Sequence, residues 1–406
     1  MAETAAHLVD HVFPEVPIRQ WVLSVPFPLR YRLAYDSSLV RDAAQIFVRT
    51  IFSSIRRRAG IPASNRKARC GAVGFIQRFS DALNLDPHFH IMALDGIYTE
   101  NSKDELTFLR VGPPSDGEVA RVAERVHRLV TRLMEQRGLG PKDDPDEADT
   151  LRRDEPLLTE LYSASITGRV TTGPRAGQRI VRIRDEMDYA DAATKSVYCC
   201  ASIEGFSVHG GVCSPARDRL RLERLLRYCL RPPLSTARLF RLADGRLLYK
   251  LKRRWKDGTK SVIYEPMELM ERLAALVPPP RFNITRFYGV LAPAATLRPY
   301  IVPEDKAAIA PTQSGCPARI GTSKNDEREI KAKRGKKSNN YSWAQLMMRV
   351  FEIDVLCCPR CGGRMRFLCA INSQPAIQKI LACLGLPSRA PPIALAKPDL
   401  EKELFL

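Results

Sequence analysis

Two of the chain's six histidines, His88 and His90, stand one residue apart in the alternating run from Asp86 to Leu94. In an extended strand side chains repeat with period two, so both imidazoles leave one face of a sheet while Phe89, Ile91 and Ala93 leave the other. Paired neutral imidazoles make a clamp for a divalent metal. The same spacing also suits a surface strand whose histidines bind nothing. A second constellation lies between Pro215 and Pro233. Leu222, Leu225, Leu226, Cys229 and Leu230 fall on one face of a helix that the double proline Pro232–Pro233 ends. Arg221, Arg224, Tyr228 and Arg231 stripe another face. Arginine grips phosphate oxygens in bidentate fashion, and a tyrosine oxygen can attack phosphorus to give a covalent protein–nucleic acid link. The plainer alternative is a tyrosine at the rim of the core with arginines turned to solvent.

Charge points the same way. The chain has 406 residues, a net charge of +19 and a pI near 9.6. Between Arg217 and Lys260 there are 15 Lys/Arg against 4 Asp/Glu, so this stretch carries +11 of the +19. Such concentration calls for a polyanion, nucleic acid ahead of a membrane surface. With 45% hydrophobic and 27% charged residues the composition is that of a soluble globular protein, large enough for two or three domains. No apolar run is long enough to cross a bilayer, and the first residues do not resemble a secretory signal, so a cytoplasmic protein without a membrane partner is expected. Eleven irregularly spread cysteines then read as thiols or metal ligands rather than disulfides.

The elements that must position these groups are legible in outline. Trp21 to Phe27 reads as a strand and Phe47 to Phe52 as a helix. Cys70 to Gln77 is β-rich and lies about ten residues before the His88 strand, so the pair is expected side by side in one antiparallel sheet. Val119, Val122, Val126, Leu129, Val130 and Leu133 recur at helical spacing and predict an amphipathic helix over 116–137. Strands followed by a helix suggest an α+β layer. The acidic stretch 141–149 reads as a loop, and Arg179–Arg184 and Ala201–His209 as further β-structure. Residues 243–260 have two Asp-Gly turns bracketing an alternating run, the mark of a hairpin or meander. There Lys250, Lys252, Arg253 and Arg254, with Tyr249 and Trp255, suit backbone tracking and base stacking on single-stranded DNA, unless they form only a basic surface strand. Residues 304–340 read as a flexible basic linker. Beyond it Trp343 to Leu386 is compact again and carries Cys358 and Cys361, half of a zinc knuckle. Tetrahedral zinc wants four ligands. Cys357 and Cys369 are near, and buried thiols or a site completed in trans are the alternatives.

Four stretches, Phe75–His90, Leu94–Tyr98, Leu222–Pro233 and Phe351–Gly363, together resemble the rolling-circle transposases of insertion sequence 91 type, within the HUH superfamily of single-strand endonucleases. The resemblance runs from about residue 1 to 386. It implies an α+β fold, an HUH-type nuclease core with a central antiparallel sheet flanked by helices, plus a basic β-hairpin region and a small C-terminal module. The corresponding segments are 1–60, the nuclease core 61–235 with the tyrosine helix, the DNA-contact region 236–303, the linker 304–340 and the C-terminal module 341–406.

The activity so implied is DNA transposition: nicking and rejoining one strand at transposon ends. Tyr228 attacks to leave a 5′-phosphotyrosine and a free 3′-OH, without ATP. His88 and His90 hold Mg²⁺ or Mn²⁺, with Gln77 on the preceding strand as the expected third ligand, His209 as runner-up, and Asp95 and Glu223 as weaker candidates. Arg224 and Arg231 help to favour the phenolate. Single-stranded DNA is the expected partner, a nucleoid-associated cytoplasmic protein the expected setting, and Zn²⁺ at Cys358 and Cys361 a further possibility. The chain departs from the family twice. Relatives often carry two tyrosines four residues apart, but Arg224 and Pro232 flank Tyr228 at that distance, which implies a single-tyrosine mechanism. Relatives also begin with a cysteine-rich zinc-binding domain, whereas Met1 looks like the point just after it, as in a shortened copy. The competing readings are a remnant that only binds DNA, and a relaxase or replication initiator sharing the chemistry.

Overall fold

The structure is a computed structural model describing residues 1–62, 64–65, 67–100, 106–139, 149–184, 199–255, 257–302, 341–366 and 371–387. All but Asp149 of the loop expected at 141–149, the linker 304–340 and Cys369 lie outside the described residues. Contacts divide the chain into two units, Leu8–Asp305 and Met1–His7 with Lys306–Leu406. The strands are β1 (Ile18–Ser24), β2 (Gly71–Phe79), β3 (Leu85–Leu94), β4 (Gly96–Glu100), β5 (Leu106–Arg110), β6 (Val181–Arg184), β7 (Cys200–Ile203), β8 (Phe206–Ser214), β9 (Leu239–Arg241), β10 (Leu247–Lys250), β11 (Thr259–Tyr264) and β12 (Thr285–Gly289). The helices are α1 (Ala2–His11), α2 (Phe27–Tyr35), α3 (Ser37–Arg58), α4 (Asp116–Gln136), α5 (Thr150–Asp154), α6 (Pro156–Thr167), α7 (Arg219–Cys229), α8 (Pro266–Leu276), α9 (Arg298–Ile301), α10 (Trp343–Phe351) and α11 (Gln374–Cys383).

The larger unit is mixed α+β around a six-stranded antiparallel sheet flanked by helices, in the order β12-β2-β3-β1-β8-β7. Its middle strands are largely buried on both faces. All of β2 is buried, which explains why the sequence there alternates only loosely. Trp21, Leu23, Ile76, Phe89, Ile91 and Val208 on one face pack against α3 and α4. Burying each such side chain contributes roughly 1.5–3 kcal/mol. The α3 helix starts where the Asp36 carboxylate accepts from the Ser38 and Leu39 amides at 2.8 and 2.9 Å, and Arg56, Arg57 and Arg58 occupy its last turn, where cations suit the helix dipole. In α4, Ser115 caps the start and Val119, Val122, Ala123, Val126 and Val130 are buried, as helical spacing predicts.

Two details shape the sheet. Opposite Trp21, β8 carries a bulge, and the register resumes only between Val22 and His209. Gly210 sits at that bulge, where a Cβ atom would come within 3.0 Å of the Trp21 ring. Deeper down, the Arg19 guanidinium is held by Asp95 at 2.7 Å and donates to the Gly210 carbonyl at 3.0 Å, with both charged side chains almost fully buried.

A second, four-stranded sheet, β6-β11-β10-β9, belongs to the same unit. Its buried Tyr249, Val262 and Tyr264 share a core with Tyr162 of α6, Leu269 and Leu276 of α8, and the turn between β2 and β3, where Phe79, Ala82, Leu83 and Leu85 are buried. Tyr264 Oη donates to the Ala82 carbonyl at 2.5 Å. The second sheet is thereby fastened to the end of the β2–β3 hairpin that carries Gln77 and His88. In the smaller unit α10 and α11 flank a tight turn, in which the Cys358 amide donates to Gly363 at 2.9 Å and the Gly362 amide to Cys358 at 2.8 Å.

Candidate active site

The β2–β3 register sets Gln77 opposite His88 and Phe75 opposite His90, while β1 sets Ser24 and Val22 opposite the same two histidines. Residues directly paired across antiparallel strands share a face. Gln77, His88 and His90 therefore emerge together on the face away from α3 and α4. The two imidazoles stack edge to face with centroids 5.0 Å apart.

The α7 helix reaches the same face, and two glutamines bind its end. Gln77 Nε2 donates to the carbonyls of Tyr228 and Cys229 at 3.1 and 2.7 Å. Gln20 on β1 has its Nε2 2.8 Å from His90 Nδ1 and 3.4 Å from Cys229 Sγ. The Tyr228 ring meets His90 nearly perpendicular, centroid to centroid 6.1 Å. Two cations attend the phenol: the Arg231 guanidinium lies 4.7 Å from its centroid and Lys252 Nζ 4.5 Å. Arg231 is itself braced by Asp81 at 3.3 Å and by the Phe79 ring. Tyr228 remains 37% exposed, so it is open to a partner from solvent.

The electrostatics suit ligation by neutral imidazole. Burial, then His88 and Arg231, push His90 down to about 3. His88 Nδ1 lies 2.7 Å from the Asp86 carbonyl, to which it can only donate, so in the neutral ring the lone pair sits on Nε2. Two buried polar atoms on this face, His90 Nε2 and Gln77 Oε1, have no hydrogen-bond partner among the described residues. Such orphans are uncommon in native interiors and mark where a ligand could complete them. His88, His90 and the Gln77 oxygen thus fit a hard divalent ion. Among the described residues no group of three His, Cys, Asp or Glu could hold one, so an amide oxygen would have to serve. Burial, then Arg231, lower the Lys252 ammonium below its ordinary value.

The other residues singled out from the sequence fall elsewhere. His209 is on the same face, but Val22 of β1 stands between it and His90, so it is not brought to the histidine pair. Asp95 is engaged by Arg19, and Glu223 is buried on α7. Arg221 and Arg224 are exposed along α7, further from its C-terminal end than Tyr228. Lys250 lies 5.1 Å over the Phe240 ring, and Arg253 and Arg254 are exposed beyond it. Trp255 is half-buried against the second core with Arg182 5.0 Å over its ring, so at least one face is already covered. In the smaller unit Cys358 and Cys361 share the tight turn. Backbone amides of Arg360 and Cys361, then the Cys361 side chain, lower the Cys358 thiol.

Gln20 and the approach of Lys252 to the phenol were not foreseen. The only local signal for Gln20 is an uncharged polar residue beside Trp21 in a strand. At the C-terminal end of α7 a cavity of about 270 Å³ is lined by Cys229, Arg231, Phe75, Phe79, Pro232 and Leu276, among others.

The family model described as "Putative transposase" matches residues 71–298. No curated protein and no solved structure matches the chain. The matched span contains His88, His90, Gln77, Tyr228 and Lys252 and takes in 228 of the 406 residues, so the chain belongs to this transposase family.

Proposed function

We propose that this transposase cuts and rejoins one DNA strand by the rolling-circle route, with Tyr228 as the nucleophile. The observation that carries the reading is the meeting of Tyr228 with His90, Arg231 and Lys252 above the face from which both histidines and Gln77 project. Tyr228 Oη attacks phosphorus as the bond from phosphorus to the 3′-oxygen breaks. The phenolic proton leaves to solvent, and the departing oxygen takes one up as the free 3′-OH. The strand remains on the protein as a 5′-phosphotyrosine, and a later attack by a 3′-OH reverses the step and rejoins DNA without ATP.

Arg231 and Lys252 favour the phenolate and neutralise the phosphate oxygens that gain charge in the transition state. Gln77 fixes the main chain of the nucleophile through its two hydrogen bonds, which limits the search for an attacking geometry. His88, His90 and the Gln77 oxygen would hold Mg²⁺ or Mn²⁺, which when bound supplies Lewis-acid polarisation of the scissile phosphate. The exposed Arg221, Arg224, Arg253 and Arg254 contact the strand's backbone. With Arg224 and Pro232 at the flanking positions, one tyrosine does the chemistry.

The test incubates the purified chain with labelled single-stranded DNA from the element's ends and Mn²⁺, with and without EDTA, beside Tyr228→Phe, on a denaturing gel. A metal-dependent covalent adduct absent from Tyr228→Phe supports the reading. Good binding with no adduct in the wild type overturns it in favour of a protein that only binds DNA.

A further inference from the structure

We infer that Gln20 is a positioning residue for the metal centre: its side-chain amide decides which nitrogen of His90 carries the proton, and so whether His90 can act as a ligand. The inference rests on the reading of His88, His90 and Gln77 as the ligand set.

A neutral imidazole has one N–H and one lone pair. For Nε2 to face a cation with its lone pair, the proton must sit on Nδ1, and a buried Nδ1–H needs an acceptor. His88 has a fixed one, the Asp86 carbonyl at 2.7 Å. Among the described residues His90 has none from the backbone; what meets its Nδ1, at 2.8 Å, is the Gln20 amide, itself only 4% exposed. An amide can present either end. With Nε2 towards the ring, as it stands here, Gln20 donates to Nδ1, and the His90 proton falls on Nε2, which has no partner among the described residues. A half-turn of the amide brings Oε1 to Nδ1. It then accepts the N–H, and the same oxygen can accept the thiol proton of Cys229, whose Sγ lies 3.4 Å from the amide. In that orientation the Nε2 lone pair is released.

Outer groups that orient a ligating histidine are a general device of metal sites, and removing one typically weakens metal binding 10- to 100-fold. Here the device has a second end. Cys229 follows Tyr228 in the chain, so the amide links the ligand to the backbone of the proposed nucleophile, parallel to the tie made by Gln77.

The test measures Mn²⁺ affinity by calorimetry on the full chain for wild type, Gln20→Met, Gln20→Glu and His90→Ala, with thermal midpoints and DNA binding in EDTA as controls of folding. Methionine keeps the volume but offers only a weak thioether acceptor, and glutamate keeps a strong one. The expected result is affinity about 10- to 100-fold weaker in Gln20→Met and at or above wild type in Gln20→Glu. A role in packing alone would spare methionine and penalise the buried carboxylate, the reverse order. Wild-type affinity in Gln20→Met alongside loss in His90→Ala, or a fall in Gln20→Glu, overturns the inference while leaving the ligand set intact. If Gln20→Met does not fold, the Gln20→Glu affinity decides alone. Absence of saturable Mn²⁺ binding by the wild type would instead sink the ligand set, and the role of Gln20 with it.

Discussion

Replacing Lys252 by methionine removes a charge 4.5 Å from the centroid of the Tyr228 ring and little else, because the side chain lies largely on the surface. At that distance a unit charge acts on a developing phenolate with roughly 4 kcal/mol at an effective dielectric constant near 20, and roughly 1 kcal/mol in bulk water. Tyr228 is 37% exposed, so water screens the pair and the lower half of that range applies. A loss of about 1–2 kcal/mol corresponds to adduct formation slower by about 5- to 30-fold at neutral pH. The assay is single-turnover formation of the covalent adduct with saturating single-stranded DNA, followed from neutral to alkaline pH. The deficit should shrink as pH rises, because hydroxide then supplies the phenolate without help from a cation. Lys250→Met is the matched control. Its ammonium lies over Phe240 instead, so it should weaken DNA binding without a pH-dependent change in rate. A Lys252→Met deficit that is constant across pH and mirrored by an equal loss of DNA affinity would refute the reasoning and leave Lys252 as a backbone contact alone.

Asp95→Asn should cost about 3–5 kcal/mol in urea unfolding, because it removes the charge that balances the buried Arg19 guanidinium and leaves the Gly210 carbonyl to hold it; a loss under about 1 kcal/mol would show that the pair is not a keystone of the sheet. Glu118 joins α4 to α3 and gives the acid limb of the stability curve. Burial alone would raise its carboxyl, but Ser54, Arg121 and Arg57 outweigh that and hold it at about 2 against an ordinary 4.5. Its folded value is the depressed one, so its contribution, on the order of 2–3 kcal/mol, is complete above pH 4.5 and is lost as pH falls towards 2. The stability gap between wild type and Glu118→Gln, measured by chemical denaturation across that window, should close accordingly; a gap unchanged with pH would contradict the assignment.

What could be read in the sequence is what short-range pattern encodes. The alternation around His88, the helical period of 116–137 and the leucine face of α7 all carry their own repeat, and all three elements are found. The neighbourhood of Gln77 and His88 was legible because a short turn joins β2 and β3 and leaves little freedom of register. Only the middle of α3 was recognised, although Asp36 and the Arg56–Arg58 run mark both its ends. The pairing of β12 with β2 and of β6 with β11 was not legible, since partners so distant in sequence are chosen by packing rather than by local propensity. The same reason hid Lys252 and Gln20, whose importance lies entirely in what other elements bring to them. His209 shows the converse: a histidine of suitable type on the correct face is two strands from where it would matter.

The position of β1 has a consequence for how the molecule is made. It precedes the other strands of this sheet in the chain and is one of the two innermost, between β3 and β8. Its β3 edge is paired once Leu85–Leu94 has emerged, but its other edge waits for Phe206–Ser214. At about 5–20 residues per second, the stretch from Leu94 to Ser214 leaves a strand carrying Trp21 and Leu23 with one unpaired edge on the ribosome for roughly 6–24 seconds. The protein therefore depends during its birth on the α3 and α4 layer, which covers one side of that strand early, and on whatever the cell provides to shield the other.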